Sequence, residues 1–205
     1  MLGSSRTSMT TMATVLVGIA GLIFILARAG APIAGAEPAA RGAVVEFTPD
    51  GKLKQPVGYR QWIYVGASVT PNDLNGGKAL FPEFHVIYID PESFAEYEKT
   101  GKFRDGTVLV KELSSVGSKE TTSGKGYFLG DFTGLAVSIK DSKRFKDEPG
   151  YWAYFSFGHK YPLKAEVAKN AVAACNQCHA DNAGKTDWVF SQHYPVLRAA
   201  AQRSK

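Results

Sequence analysis

Five consecutive residues near the C-terminus carry the clearest chemistry in this sequence: Cys175-Asn176-Gln177-Cys178-His179. The C-x-x-C-H spacing is typical of covalent attachment of a c-type haem. Two thiols three residues apart on a turn of helix can add to the two vinyl groups of one porphyrin, and the next residue can then be the proximal ligand of the iron. We therefore predict a haem c held by Cys175 and Cys178, with His179 as the metal ligand.

The alternatives to haem attachment are a chance pair of cysteines, a thioredoxin-like redox pair and half of a zinc site. A zinc site needs more ligands at short spacing, and the chain contains only two cysteines. A redox pair does not require a histidine directly after it, and it usually opens a helix that follows a strand. The motif and the export signal described next together favour haem. Because haem would use both thiols, no disulfide is expected.

The first 36 residues are typical of an export signal. Arg6 supplies a positive start, residues 13–27 are apolar, and Ala34-Gly35-Ala36 is a small-x-small cleavage site. The alternative is an uncleaved anchor, since residues 10–27 are at the short end of a membrane-spanning helix. Either way, we expect residues 37–205 to form one haem domain in the periplasm. This part has 22 basic and 19 acidic residues, and its net charge of +3 is too weak and scattered to indicate nucleic-acid binding.

The other axial position of the iron is constrained by the absence of methionine from residues 37–205. After cleavage, the His/Met ligation of electron-carrying cytochromes c is therefore impossible. His85, His159 and His193 are each more typical of ordinary surface or core histidines than of ligands. Without a histidine or lysine ligand, the iron has an open position for small molecules such as nitric oxide or hydroxylamine. His85 could donate a distal hydrogen bond there or be a satisfied core histidine.

The pattern of elements predicts an α+β fold with a mostly antiparallel sheet, flanking helices and a haem-attachment helix near the C-terminus. Alternation and turn residues predict strands over residues 61–70, 84–89, 107–113, 127–129, 135–140 and 151–157. Capping signals and composition predict helices over residues 90–99, 141–146, 165–174 and 191–203, with Pro195 in the first turn of the last one.

Lys111 interrupts an otherwise apolar pattern in the third predicted strand. Alternation puts Thr107, Leu109, Lys111 and Leu113 on one face of the sheet. On this pattern alone, Lys111 would be a residue that extends its ammonium group to solvent at a sheet edge.

The chain resembles the cytochrome P-460 family of monohaem c-type proteins over essentially all of residues 37–205. The resemblance rests on these segments: Tyr59-Arg60-x-Trp62, Val69-Thr70-Pro71-Asn72-x-Leu74-Asn75, Tyr88-x-Asp90-Pro91-Glu92-Ser93, Gly101-x-Phe103-Arg104-Asp105-Gly106-Thr107, Val110-Lys111-Glu112-Leu113, Gly126-Tyr127-Phe128, Glu148-Pro149-Gly150, Cys175-x-x-Cys178-His179 and Tyr194-Pro195-Val196-Leu197. It implies a homodimer with His179 as proximal ligand and with Lys111 joined covalently to a haem meso carbon. It also implies oxidation of hydroxylamine to nitrous oxide or nitrite, with a soluble cytochrome c as electron acceptor.

One position departs from the family pattern. Where members that run this reaction well carry a distal carboxylate, this chain has Ala136, in the segment Gly134-Leu135-Ala136. Loss of a general base typically costs on the order of 10²–10⁴ in rate. His85 could partly substitute as a base, and Asp131 and Glu83 are weaker substitutes.

Two other functions therefore stay open beside hydroxylamine oxidation. One is capture of nitric oxide or hydroxylamine without turnover, as in the related cytochrome c′-β group, which lacks the lysine cross-link. Lys111 argues against that group, whereas Ala136, Phe81 and Phe84 are compatible with it. The other is a simple electron carrier, which the lack of methionine makes less favourable.

Overall fold

The computed structural model describes residues 44–171 and 173–204. The predicted export segment, residues 1–36, lies outside these ranges, so its cleavage stays a prediction. Within them, no helix has both the length and the apolar composition needed to cross a membrane.

An antiparallel sheet forms the centre of the domain. The strands are β1 (Leu53–Lys54), β2 (Ile63–Val69), β3 (Phe84–Ile89), β4 (Val108–Val116), β5 (Glu120–Thr121), β6 (Gly124–Lys125), β7 (Leu129–Lys140), β8 (Trp152–Gly158) and β9 (Glu166–Val167). The central sheet has five strands in the order β2-β3-β4-β7-β8, and two short ladders, β1-β9 and β5-β6, accompany it. The α-helices are α1 (Pro91–Thr100), α2 (Asn176–Ala183) and α3 (Pro195–Arg203). The α+β prediction with an antiparallel sheet is confirmed.

The two faces of the sheet bury different partners. One face, here called the ladder face, packs the most buried side chains of β4, β7 and β8 against β1 and β9; it contains Val110, Val137, Phe155, Phe157, Leu53 and Val167. The opposite face, here called the helix face, packs against α1, α3 and the segment that carries the C-x-x-C-H motif; it contains Ile89, Leu109, Trp152, Tyr154, Tyr97 and Leu197. Alternation along β4 puts Lys111 on the helix face and Glu112 on the ladder face.

Several predicted elements are confirmed with shifted ends. Strand β3 spans the predicted residues, and α1 begins after Asp90 and ends at Gly101, whose φ of 68° suits glycine at a helix C-terminus. The C-terminal segment is helical in two pieces, a 3₁₀ turn at Ser191–His193 and then α3, with Pro195 at its first position.

The turns predicted between residues 129 and 135 and two predicted helices were wrong. Residues 129–140 form one continuous strand, because β7 pairs with β4 through two register irregularities that replace the expected turns. Residues 141–146 form turns, in which the Asp141 carboxylate accepts from the main-chain amides of Lys143 and Arg144. Residues 165–171, 173 and 174 are not helical despite the alanines of this segment. Their main chain pairs with β1 and with Tyr154 instead, so tertiary hydrogen bonds override the helix propensity of alanine.

Asp90 joins α1 to the start of β4. Its fully buried carboxylate accepts from the Ser93 amide and the Val108 amide, both at 2.9 Å. We expect Asp90→Ala to lower the free energy of unfolding by about 2–4 kcal/mol, because it removes a helix cap and leaves a buried amide unpaired. Urea unfolding of the haem-loaded protein measures this, with the exposed Asp50→Ala as control. Equal losses in the two variants would contradict this role of Asp90.

Candidate functional site

The haem motif lies at the start of α2. Cys175 is the N-cap residue, and Cys178 and His179 follow in the first turn. Both thiols are free, Cys175 half-buried and Cys178 exposed. The Asn170 amide lies 3.3 Å from the Cys175 sulfur. The predicted turn of helix is therefore present, although it starts inside the motif rather than before it.

His179 has the tautomer that a metal ligand needs. Its Nδ1 lies 2.7 Å from the main-chain oxygen of Trp188. A carbonyl can only accept a hydrogen bond, so Nδ1 carries the hydrogen and Nε2 keeps a lone pair for a metal. The imidazole packs against the rings of Tyr154 and Phe190, with centroid separations of 4.4 and 4.7 Å. Burial lowers the pKa of His179, which favours the neutral ligand form.

The Trp188 carbonyl that orients His179 is itself fixed. Asp187 and Trp188 both have left-handed backbone conformations, with φ of 54° and 58°. Trp188 donates its amide to the Ala183 oxygen at 2.9 Å, and the Tyr154 hydroxyl donates to the Trp188 oxygen at 3.3 Å. Asp187 forms an ion pair with Lys140. The turn after α2 is thus tied to the sheet that lies beside the histidine.

Asn176 anchors the motif to the sheet, and the sequence analysis missed it. This residue is buried, and its Nδ2 donates to the Trp152 oxygen at 2.7 Å and to Glu148 Oε2 at 3.1 Å. Glu148 also forms an ion pair with Lys169. Glu148-Pro149-Gly150 was one of the segments that carried the family resemblance, and it was the available signal that this loop supports the haem motif.

Lys111 and Ala136 lie side by side on the helix face. They are direct partners in the β4-β7 pairing, with Ile87 and Ser156 as their neighbours on either side. His85 pairs with Leu113 in the next row, so it is diagonal to Lys111 on the same face. The structure thus brings three of the predicted site residues together. Asp131 is exposed near the start of β7, and its side chain makes no hydrogen bond or ion pair within the described ranges.

Lys111 has the environment of a residue that needs a further partner. No acidic group of the described residues lies within ion-pair distance of its Nζ, which sits 4.9 Å from the centre of the Phe81 ring. Burial lowers its pKa, and its charge in turn contributes to the lowered pKa of His179. A half-buried amine without a counter-ion is unfavourable, and a lowered pKa makes it a better nucleophile. These properties fit a lysine that bonds to haem.

His85 is neutral at physiological pH. Burial, followed by the charge of Lys111, lowers its pKa to about 4. Its Nε2 is buried and has no hydrogen-bond partner among the described residues. The Phe81 ring contacts it at a centroid separation of 5.9 Å. An orphaned nitrogen beside Lys111 fits a position where a small ligand would supply the missing hydrogen bond.

Substitution of Gly150 tests the packing around Trp188, the residue whose carbonyl orients His179. Its φ is 62°, and a Cβ there would overlap the Trp188 indole. Gly76 has a similar φ of 59° with nothing within 4 Å of an added Cβ, so it is a matched control. We expect Gly150→Ala to lower the free energy of unfolding by about 1–3 kcal/mol more than Gly76→Ala, because the indole must move. Urea unfolding of the haem-loaded variants measures the difference, and equal losses would contradict it.

A family model described as Cytochrome P460 matches residues 56–191. The match spans β2 to β8, Lys111 and the whole C-x-x-C-H motif. The comparison with curated proteins found no match. The motif geometry, the ligand-ready His179 and this match agree with one another, and the chain belongs to the cytochrome P-460 family of haem cytochromes.

Proposed function

We propose that this protein is a periplasmic c-type cytochrome that binds and oxidises hydroxylamine. Cys175 and Cys178 would hold the haem by thioether bonds, His179 would bind its iron, and Lys111 would form a third covalent link. The observation that carries the proposal is the position of Lys111. It is half-buried, without an ion-pair partner among the described residues, on the sheet face against which the haem motif packs.

The functional residues fall into two groups, one that would bind the iron and one that would surround the substrate. The haem, when bound, supplies an iron that takes electrons from the substrate nitrogen and passes them to an external acceptor such as a soluble cytochrome c. In the first group, His179 is oriented by the Trp188 carbonyl and offers Nε2 as the ligand atom. In the second group, Lys111, Ala136 and His85 lie together on the helix face. Conversion of hydroxylamine to nitrous oxide and water also releases protons, which a nearby base must accept.

A second candidate function is binding of hydroxylamine or nitric oxide without turnover. It is favoured by Ala136, which is the direct neighbour of Lys111 and offers no proton acceptor. The phenyl ring of Phe81 beside Lys111 also makes this region apolar. The two functions differ in whether protons and electrons leave the site after the ligand has bound.

The cross-link can be tested separately from turnover. We expect a tryptic digest of the haem-loaded protein to contain one species in which the peptide with Lys111 and the peptide with Cys175 are joined through haem. Lys111→Arg keeps the positive charge but should lose this species, whereas the exposed Lys99→Arg should keep it. Mass spectrometry distinguishes the two. If the wild-type peptides separate, the cross-link part of the proposal is wrong.

Turnover is tested by adding hydroxylamine and an oxidising dye to the ferric protein without oxygen. We expect sustained dye reduction with formation of nitrous oxide, and much slower reduction in Lys111→Arg than in Lys99→Arg. A single change of the haem spectrum that then stops would exclude efficient oxidation and favour the binding function.

The homodimer implied by the family resemblance belongs to the same proposal. Light scattering of the purified haem-loaded protein would give its mass in solution. A mass that corresponds to one chain of about 22.1 kDa or less would contradict the dimer.

A further inference from the structure

Glu83 is a nearly buried carboxylate that the fold leaves half-paired. It directly precedes β3, and its side chain is 14% exposed. Its Oε1 lies 3.4 Å from His159 Nδ1, while Oε2 is buried without a hydrogen-bond partner among the described residues. Buried carboxylate oxygens are normally paired, because losing water without a replacement partner is costly. An unpaired one therefore calls for a functional explanation.

The carboxylate of Glu83 lies near enough to Lys111 and His85 for its charge to act on both. Glu83 itself forms a bend directly before β3, two positions from His85. The negative charge of Glu83 opposes the lowering of the pKa of both Lys111 and His85. His85 Nε2 is the second orphaned polar atom of this region. The ring of Phe81 lies between these groups, in contact with His85, His159 and Lys111.

Glu83 also lines a cavity beside the start of β3. The cavity has a volume of about 260 Å³, and its lining includes Pro82, Glu83, Ser115, Asp73 and Lys119. Asp73 and Lys119 form an exposed ion pair at 2.7 Å. At about 30 Å³ for each water molecule in the liquid, the cavity has room for several. Glu83 thus lies between a cavity with room for water and the groups around Lys111.

We propose that Glu83 is the proton acceptor for ligands that bind on the Lys111 face, taking the proton by way of His85 and releasing it through the cavity that it lines. The inference rests on the proposed function only in taking this face as the haem face. Ala136 removes the nearest position for a base, and Asp131 is exposed elsewhere on β7. Among the described residues, Glu83 is the carboxylate whose charge acts on both Lys111 and His85.

Hydrogen cyanide is the probe, because it must lose a proton when it binds ferric haem but is not oxidised there. The H–C bond breaks, the proton goes to the chain and the cyanide carbon binds the iron. His85 alone would hold the proton poorly, since its pKa of about 4 makes the imidazole a weak base. A neighbouring carboxylate can accept the proton from the imidazole.

The experiment measures the rate constant of cyanide association with the ferric haem-loaded protein between about pH 6 and pH 8. In the wild type, we expect a rate that changes little with pH, because the acceptor is in the protein. In Glu83→Gln we expect the association rate constant at about pH 6 to be lower than that of the wild type by a factor on the order of 10². The rate should then rise about tenfold per pH unit, because only preformed cyanide anion binds.

The pH dependence must be assigned to Glu83 rather than to its neighbours. The titratable groups that face it are His85, His159, Lys111, Asp73 and Lys119. Glu83→Asp should keep most of the flat profile, and the exposed Glu46→Gln should match the wild type. In the Glu83→Gln background, Ala136→Glu should restore the flat profile by placing a carboxylate beside Lys111. If Glu83→Gln does not accumulate, His85→Phe should show the same steep profile.

A fall by one constant factor at all pH values would indicate a structural effect only and would overturn the inference. An unchanged profile in Glu83→Gln and His85→Phe would overturn it as well. The proposed oxidation fails separately: a wild type that does not turn over hydroxylamine can still show the expected cyanide profile. Conversely, sustained turnover with an unchanged profile would leave the function standing and remove Glu83 from it.

Discussion

Two neighbouring residues of opposite charge in β4, Lys111 and Glu112, lie on opposite faces of the sheet. Glu112 is 2% exposed on the ladder face, where it accepts from the Tyr59 hydroxyl at 2.6 Å and from Arg60 Nε at 3.0 Å. A slip of β4 by one residue would exchange the two side chains and leave each charge among the wrong partners. Arg60 is half exposed, but leaving the buried Glu112 carboxylate without these hydrogen bonds would cost at least about 1–3 kcal/mol. The Glu112 cluster thus fixes the register that brings Lys111 to the helix face.

The same sheet connects Lys111 to the histidine that would bind iron. β4 pairs with β7, β7 pairs with β8, and β8 contacts the haem motif through Tyr154 and through the main chain of Trp152. The two proposed attachment sites are therefore held by one sheet, although 64 positions of sequence separate Lys111 from Cys175. The loop around Glu83 lies outside these strands, at the end of the sheet where the ligand side would be.

Sequence reasoning located what depends on local pattern. The thiol spacing, the caps of α1 and the alternation that puts Lys111 and Glu112 on opposite faces are all local patterns of the sequence. What failed depended on contacts distant in sequence. The alanines of residues 165–174 favour helix, yet the main chain of residues 165–167 pairs with β1 and the Asn170 amide donates to Tyr154. The role of Asn176 depends on where Trp152 and Glu148 arrive in space, and no local pattern contains that information.

A bond from Lys111 to haem would also change the unfolded protein. Together with the thioether at Cys175 it would close the chain into a ring that contains β7, β8 and β9. A ring of this length removes enough conformational entropy from the unfolded ensemble to stabilise the native state by about 4 kcal/mol, as a disulfide does. The cofactor would then act as a topological brace in a domain whose two cysteines leave none for a disulfide. Such a domain could not become fully extended even in strong denaturant, and its strands would refold from ends already held together.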